Sequence, residues 1–367
     1  MTLFTNAQTG ANLNILMSIL TREKRMVPTP KHCKQDMRLP PELCQTVLTY
    51  LQPLEDGSFD SINLSTLTRC TLVSREFYLI ARAIIFANIR IEDDIDMNAP
   101  RKLKLIKEAF ELNSDLSSLV HSFSLEILED HELLDHRQHT QSLYNDSSLS
   151  FLLSQFKFLE FFSIKSVAPA ASTRVTQWHE LGSSLRDAFR HLFRANGRHL
   201  KTLCLSKLCV PPEVWITELE SLSTLTLDSC PLHWPIGSTE DVAPSHASTD
   251  NKLTSPSKVN LSYLSPQYLK TLINGPYSGM FRQTKDATLL TSNQTSVELL
   301  NGLLSAMSRA LTSLDFTLKV VQDESECATL RLKVFGQKKT NLHDIRLYHP
   351  SIVSILDHPS NPATVPI

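Results

Sequence analysis

Four side chains near the middle of the chain have types and spacing that could bind a metal ion. Cys204 and Cys209 form a C-x₄-C pair, and Cys230 and His233 form a C-x₂-H pair. Tetrahedral zinc takes four sulfur and nitrogen ligands of this kind, provided that all four side chains converge on one point. Cys204, however, lies between two leucines in a strand-like pattern, which is typical of a buried structural thiol. We therefore predict no metal site and no cofactor.

No common catalytic motif accompanies these residues. The sequence lacks the G-x-S-x-G nucleophile elbow, the P-loop pattern, the dinucleotide-binding G-x-G-x-x-G and the zinc-protease H-E-x-x-H. Its nine glycines are scattered, so they do not form a loop that could surround a phosphate group. We therefore expect a protein that is not an enzyme. Trp178, Trp215 and Trp234 are candidates for binding anchors or for core packing, and we favour Trp234 as an anchor.

Charge and composition limit the possible partners. The 367 residues are 41% hydrophobic, and 36 Lys and Arg against 38 Asp and Glu give a net charge of −2. No Lys/Arg cluster exceeds a few residues, so the sequence predicts neither a nucleic-acid surface nor binding to a membrane. It also contains no apolar run of about 18 residues that could span a bilayer. Seven scattered cysteines indicate a reducing compartment, and we expect a cytoplasmic or nuclear location.

The stretch from Arg38 to Phe86 predicts three short amphipathic helices. Its apolar side chains recur at spacings of three, four and seven residues, which place them on one face of a helix. Pro40 and Pro41 suit the start of the first helix, and Ser74 is a suitable N-cap for the third. A helical unit of roughly fifty residues buries too little surface to be stable alone. Some of its apolar residues are therefore expected to face a neighbour.

This stretch resembles the F-box in the form common in fungal F-box proteins. The motif begins L-P-x-E-L and continues as L-x-x-C-x-L-V-S-R-x-F. The residues that carry the match are Leu39, Pro40, Glu42, Leu43, Tyr50, Leu51, Leu67, Cys70, Leu72, Val73, Ser74, Arg75, Phe77, Ala81, Arg82 and Phe86. The connection between the first two helices is longer than in a minimal F-box, and its Pro53, Asp56 and Gly57 predict a surface insertion.

The F-box resemblance implies a partner and a docking face. An F-box docks on a Skp-family linker protein of a cullin–RING ubiquitin ligase, and the remainder of such a chain binds a protein substrate, here unknown. Apolar residues would make the contact, with two polar side chains at its rim. The implied docking face comprises Leu39, Pro40, Leu43, Val47, Leu51, Leu72, Val73, Ser74, Arg75 and Phe77.

Beyond residue 90 the sequence predicts an α/β fold of alternating helices and strands. The pattern L-x-x-L-x-L starts at Leu200 and again 22 residues later at Leu222, within the period of leucine-rich repeats. Looser forms of the pattern start at Val120, Leu159, Leu311 and Leu342, with a fragment at Leu269 and Leu272. The pattern resembles degenerate leucine-rich repeats, and this resemblance implies an irregular solenoid with a parallel sheet. A non-repetitive α/β domain is the alternative.

These patterns divide the chain into regions. Residues 1–37 are predicted to be a disordered linker, and residues 357–367 a flexible tail. Residues 38–90 form the F-box-like helices, and residues 91–356 form the repeat-like domain. Residues 236–258 are rich in Ser, Thr, Pro and Asp, which predicts a disordered insertion within that domain.

The regions together predict a non-enzymatic adaptor that recruits a substrate protein to an SCF-type ubiquitin ligase. The alternative is a stand-alone repeat scaffold with no role in ubiquitin ligation, in which the N-terminal helices cap the open end of the solenoid. An unrecognised enzyme is a third possibility, and it would require a deep pocket with perturbed titratable groups.

Overall fold

The computed structural model shows two compact units. The residues that the structure describes are 40–51, 61–71, 73–92, 99–128, 143–167, 175–229, 255–274, 278–291, 294–307, 310–323 and 326–335. Unit 1 comprises the described residues of Met1–Thr173 and Leu181–Leu200, and unit 2 those of Arg174–Glu180 and Lys201–Ile367. Both units alternate helices with parallel strands, so the predicted α/β class is confirmed at this level.

Unit 1 begins with three helices and continues with alternating strands and helices. Its elements are α1 (Pro41–Thr49), α2 (Ser61–Cys70), α3 (Arg75–Ala87), β1 (Asn88–Glu92), α4 (Ala99–Leu112), a 3₁₀ helix (Ser114–Leu119), β2 (Ser122–Leu128), α5 (Ser147–Gln155), β3 (Phe161–Val167) and α6 (Ser183–Asn196). The three strands are parallel, with β2 between β1 and β3. The helical and alternating patterns of this part of the sequence thus predicted the right type of element.

The strands of unit 1 bury one face and leave charged groups on the other. Phe123 of β2 pairs with Ile89 of β1 and with Phe162 of β3, and all three side chains are buried. Successive strand residues point to opposite faces of a sheet. Arg90 and Glu126 therefore lie on the second face, where the Arg90 guanidinium donates to the Glu126 carboxylate at 3.3 Å.

The side chain of Asn196 ties the end of α6 to the chain that enters β3. Its Oδ1 accepts from the Leu159 N–H at 2.8 Å, while its Nδ2 donates to the carbonyls of Phe156 at 2.9 Å and Leu192 at 2.8 Å. Asn196 is fully buried, so these bonds satisfy backbone groups that water cannot reach. Gly197 follows as the C-cap.

Unit 2 is built mainly on one sheet. Its elements are β4 (Thr176–Gln177), a 3₁₀ helix (Trp178–Glu180), β5 (Thr202–Ser206), β6 (Leu208–Cys209), α7 (Pro212–Trp215), β7 (Thr224–Asp228), β8 (Lys258–Ser262), α8 (Pro266–Asn274), a 3₁₀ helix (Ser278–Phe281), β9 (Asp286–Thr291), α9 (Gln294–Met307), β10 (Ser313–Asp323) and β11 (Glu326–Phe335). Strands β5, β7, β8, β9, β10 and β11 are neighbours in that order, while β4 and β6 pair separately.

In-register apolar rows form the core beneath this sheet. One row across five strands consists of Leu203, Leu225, Val259, Ala287 and Leu314, and a second consists of Leu205, Leu227, Leu261, Leu289 and Phe316. All ten side chains are buried. Alternation of leucines along β5 and β7 therefore predicted the buried face of these strands.

The residue that follows each of β5, β7 and β8 has a left-handed backbone. These residues are Lys207 (φ 55°), Ser229 (φ 52°) and Tyr263 (φ 50°). Their N–H groups donate to carbonyls at the end of the neighbouring strand, namely those of Asp228 (2.9 Å), Ser262 (2.7 Å) and Leu290 (2.8 Å). Non-glycine residues rarely adopt this conformation. Its recurrence shows that these three strands end in the same way.

Two predictions for unit 2 are wrong. The fragment Leu269–Leu272, which the sequence analysis grouped with the strand patterns, lies in α8. The Ser265 hydroxyl accepts from the Tyr268 N–H at 3.1 Å and caps that helix. The prediction failed because a spacing of three residues between apolar side chains suits a helix as well as a repeat strand. Lys258, assigned to the disordered insertion, is the first residue of β8.

Further elements of unit 2 were not predicted. The sequence analysis did not identify β9 or β11, and β11 runs antiparallel to β10, so the sheet is not parallel throughout. The strand pattern at Leu342, residues 1–37, residues 230–254 and residues 357–367 lie outside the described residues.

Replacing Asn196 by Leu is expected to lower the free energy of unfolding by about 2–4 kcal/mol, because three buried backbone groups lose their partner. Urea denaturation followed by circular dichroism measures this change. A matched control is His191→Gln on the exposed face of α6, which should alter stability by no more than about 0.5 kcal/mol. Equal stability of the two variants would show that Asn196 does not have this role.

Candidate docking face

The first and third of the N-terminal helices begin where the local sequence predicts. Pro40 is the N-cap of α1 and Pro41 is its first residue, and the Pro40 carbonyl accepts from the Cys44 N–H at 3.1 Å. At the start of α3 the Ser74 hydroxyl accepts from the Phe77 N–H at 3.3 Å, which confirms the predicted N-cap. Both α1 and α2 pack against α3. The third helix is therefore the centre of this small helical group.

Helix α1 carries two apolar stripes. Cys44 and Leu48 are 2% and 0% exposed and form its inner stripe. Leu43 and Val47, each one position earlier, are 52% and 55% exposed, and Tyr50 continues the outer stripe. Adjacent residues of an α-helix are separated by about 100° around its axis. The outer stripe therefore points away from the core that the inner stripe helps to form.

The buried face of helix α3 lies about one residue further along the chain than the face that the sequence predicts. The spacing of Phe77, Ile80, Ala81 and Ile84 predicts an inner face. Ala81 is buried, but the other three side chains are only half-buried. The buried residues of the helix are Tyr78, Ala81, Arg82, Ile85 and Phe86. Because α3 is apolar around much of its circumference, the period alone does not identify the inward side.

The ten residues of the implied docking face occupy different environments. Leu43, Val47, Val73, Pro40, Ser74 and Arg75 are exposed, and Leu51 and Phe77 are half-buried. Leu39 and Leu72 lie outside the described residues. Contact between this set and a partner stays a prediction.

Exposed large apolar side chains are concentrated in this helical group. Of the eight that occur among the described residues, six lie between residues 43 and 79. We call these six the outer apolar residues: Leu43, Val47, Tyr50, Ile62, Val73 and Leu79. The sequence analysis did not include Tyr50, Ile62 or Leu79 in the docking face. The signal available for Tyr50 was its position seven residues after Leu43, which places both on one side of a helix. The signal for Leu79 was its position next to Tyr78, which is buried.

A half-buried cysteine lies at the end of α2. Removal from water raises the pKa of the Cys70 thiol above its ordinary value. The thiol is therefore more firmly protonated than a free cysteine at neutral pH. Cys70 accordingly acts as a small packing residue in this group.

The other candidate site residues are part of the core or lie outside the described chain. Cys204 and Cys209 are buried, and Cys230 and His233 are not among the described residues. No group of three or more His, Cys, Asp or Glu side chains is arranged to hold a metal ion in the described ranges. Trp178 and Trp215 are buried, and Trp234 lies outside these ranges. None of the described helices is long and apolar enough to cross a membrane.

No protein-family model matches the sequence, and the search of curated proteins finds no match. The F-box and leucine-rich-repeat resemblances therefore depend on the motif residues alone.

Replacing Leu48 by Ala is expected to reduce the free energy of unfolding by about 2–5 kcal/mol, because the inner stripe loses a fully buried side chain. The matched variant Leu43→Ala, one stripe outward on the same helix, should cost no more than about 1 kcal/mol. Chemical denaturation of both variants provides the comparison. A cost for Leu43→Ala as large as that for Leu48→Ala would mean that the outer stripe is covered within the chain.

Proposed function

We propose that this chain is a substrate-recruiting adaptor of a cullin–RING ubiquitin ligase. In this proposal α1, α2 and α3 dock on a Skp-family linker protein, and the α/β part of the chain binds a protein substrate. The observation that carries the proposal is the coincidence of two features in one segment. Residues 38–86 contain the F-box-like motif, and the outer apolar residues lie in the same segment.

The outer stripe of α1 has the dimensions and chemistry of a helix-mediated contact. Leu43 and Tyr50 are separated by about 10 Å along the helix axis. Burial of a Leu or Val side chain in an interface contributes roughly 1.5–3 kcal/mol relative to exposure. Ser74 and Arg75 are exposed beside Val73 and supply polar groups for the rim of such a contact.

The chemistry of ubiquitin transfer belongs to other subunits in this proposal. A chain that binds the ligase at one region and a substrate at another raises the local concentration of substrate at the ligase. This role requires two binding surfaces and no catalytic group of its own. The absence of common catalytic motifs from the sequence is compatible with it.

The α/β part of the chain is proposed to be a set of irregular leucine-rich repeats. Support comes from the aligned apolar rows of unit 2 and from the left-handed residues Lys207, Ser229 and Tyr263 at equivalent positions. Stacked repeats expose a long surface that suits protein recognition. The substrate-binding residues themselves are not assigned.

Replacing Leu43 and Val47 together by Ala is expected to weaken binding to a purified Skp-family linker by about 100-fold, since two apolar side chains lose their contact. Biolayer interferometry with the full chain measures the affinity. The matched control is Leu112→Ala, which removes an exposed leucine at the end of α4 and should leave binding unchanged. If the unmodified chain does not bind the linker, the stand-alone scaffold replaces the adaptor proposal.

A further inference from the structure

The segment that enters β8 begins with a Ser-Pro-x-Lys sequence. Its residues are Ser255, Pro256, Ser257 and Lys258. Protein kinases select substrates partly by the charges around the target hydroxyl, and proline-directed kinases accept a serine that is followed by proline and then by lysine. Of the three Ser-Pro and Thr-Pro pairs in the sequence, this pair alone has a lysine three positions after the hydroxyl residue. The sequence therefore favours phosphorylation of Ser255.

Hydrogen bonds hold this segment against the segment that enters β9. The Ser255 hydroxyl accepts from the Gln283 N–H at 2.8 Å, and the Thr284 hydroxyl donates to the Pro256 carbonyl at 3.0 Å. The next two N–H groups of the chain donate to the Ser257 carbonyl at 2.8 and 3.0 Å. The Ser255 oxygen therefore lies where segments from two different connections meet.

Positive charge predominates in these two segments, residues 255–258 and 282–286. Lys258, Arg282 and Lys285 are exposed, and Arg282 directly precedes Gln283, whose N–H contacts the Ser255 hydroxyl. Within the part of the chain that the structure describes, the side chains of these three residues form no ion pair or hydrogen bond. The two segments carry one carboxylate, that of Asp286. A phosphate group on Ser255 would therefore enter an environment that favours negative charge.

The second Ser-Pro pair of unit 2 has a different environment. Ser265 is 2% exposed, and its hydroxyl accepts from the Tyr268 N–H at the start of α8. No cationic residue lies within four positions of it in the sequence. Ser265 therefore provides an internal reference for a Ser-Pro pair that is not expected to be modified. The third pair, Thr29-Pro30, lies outside the described residues.

We propose that Ser255 is a phosphorylation site of a proline-directed protein kinase and that its phosphate binds the Arg282 guanidinium and the Gln283 N–H. In the reaction the Ser255 Oγ attacks the γ-phosphorus of ATP, and a new O–P bond forms. The bond from the γ-phosphorus to the β,γ-bridging oxygen breaks, ADP leaves, and the hydroxyl proton passes to the catalytic base of the kinase. This proposal does not depend on the adaptor function.

The hydrogen bonds around Ser255 define when the kinase can act. Pro256 is buried and Thr284 is fully buried, so the segment must leave these contacts before it enters a kinase cleft. Local opening at a surface connection needs less free energy than unfolding of the whole unit. The modified segment can then return to its place beside the Gln283 N–H. Opening therefore precedes phosphorylation, and the phosphate acts on the closed arrangement.

The phosphate is expected to favour the closed arrangement. It carries a charge of about −1.5 to −2 at pH 7 and three acceptor oxygens. Arginine binds phosphate through two parallel N–H donors, and such charge-assisted bonds are stronger than the neutral bond that the hydroxyl makes. Phosphorylation of Ser255 would thus fasten the segment before β8 to the segment before β9.

The first test incubates the full chain with ATP and a purified cyclin-dependent kinase, and peptide mass spectrometry then locates the phosphate. Phosphate is expected on Ser255 and not on Ser265. The variant Lys258→Gln should lower kcat/KM for Ser255 at least about tenfold, because the kinase loses the charge that it reads. The matched control Lys270→Gln removes the same charge from an exposed position of α8 and should leave the rate unchanged.

Absence of phosphate from Ser255 would overturn the proposal. Equal rates for the Lys258 and Lys270 variants would overturn the assignment to a kinase of this class. Neither result depends on the Skp-family linker, which is absent from the assay, so failure here leaves the adaptor proposal untouched.

The second test compares hydrogen exchange in the phosphorylated and unphosphorylated chains by mass spectrometry. Amide exchange of residues 283–286 is expected to slow at least about tenfold on phosphorylation, because these N–H groups are released only when the two segments separate. The variant Arg282→Gln should lose most of this slowing, whereas Lys270→Gln should retain it. Unchanged or faster exchange in the phosphorylated chain would overturn the proposed phosphate contact.

Discussion

Parallel pairing between successive strands is the constraint on which the remainder of each unit depends. Two parallel strands cannot be joined by a tight turn, because the chain must return to the starting edge of the sheet before the next strand begins. In unit 1 the connections from β1 to β2 and from β2 to β3 contain α4 and α5. In unit 2, α8 and α9 serve the same purpose between β8, β9 and β10. The aligned apolar side chains of the strands are buried as a result, and the helices present their polar faces outward.

Local sequence patterns predicted the elements in which apolar residues recur at a regular spacing and a capping residue marks the end. Helix α6 is an example, since Leu185, Phe189 and Leu192 lie on its buried face and Gly197 ends it. The patterns failed where the apolar segment was short, or where its spacing fitted both a helix and a strand. Strand β8 follows a polar segment and contains only two apolar residues, Val259 and Leu261, while the Leu269–Leu272 spacing fits both a helix and a repeat strand. The antiparallel strand β11 depends on pairing with β10, which a single-strand pattern does not reveal.

The docking helices illustrate a second limit of sequence reasoning. The motif residues located the helical group and the exposed Leu43, and the implied docking face added Val47, yet the helical period alone does not distinguish the outer stripe of α1 from its inner stripe. Both stripes are apolar, and they differ only in which one contacts α3 and its neighbours. Tertiary packing makes that choice, so only the structure assigns Cys44 and Leu48 to the core.

The central claim is that the outer apolar residues form a binding face for another protein. Hydroxyl-radical footprinting with mass spectrometry tests it directly, because the rate of oxidation reports the exposure of each side chain. On addition of a purified Skp-family linker, the account predicts reduced oxidation of Leu43, Val47 and Tyr50, with Leu112 and Phe158 unchanged as exposed references in the same unit. Unchanged oxidation of the three outer residues at a saturating concentration of linker would contradict it.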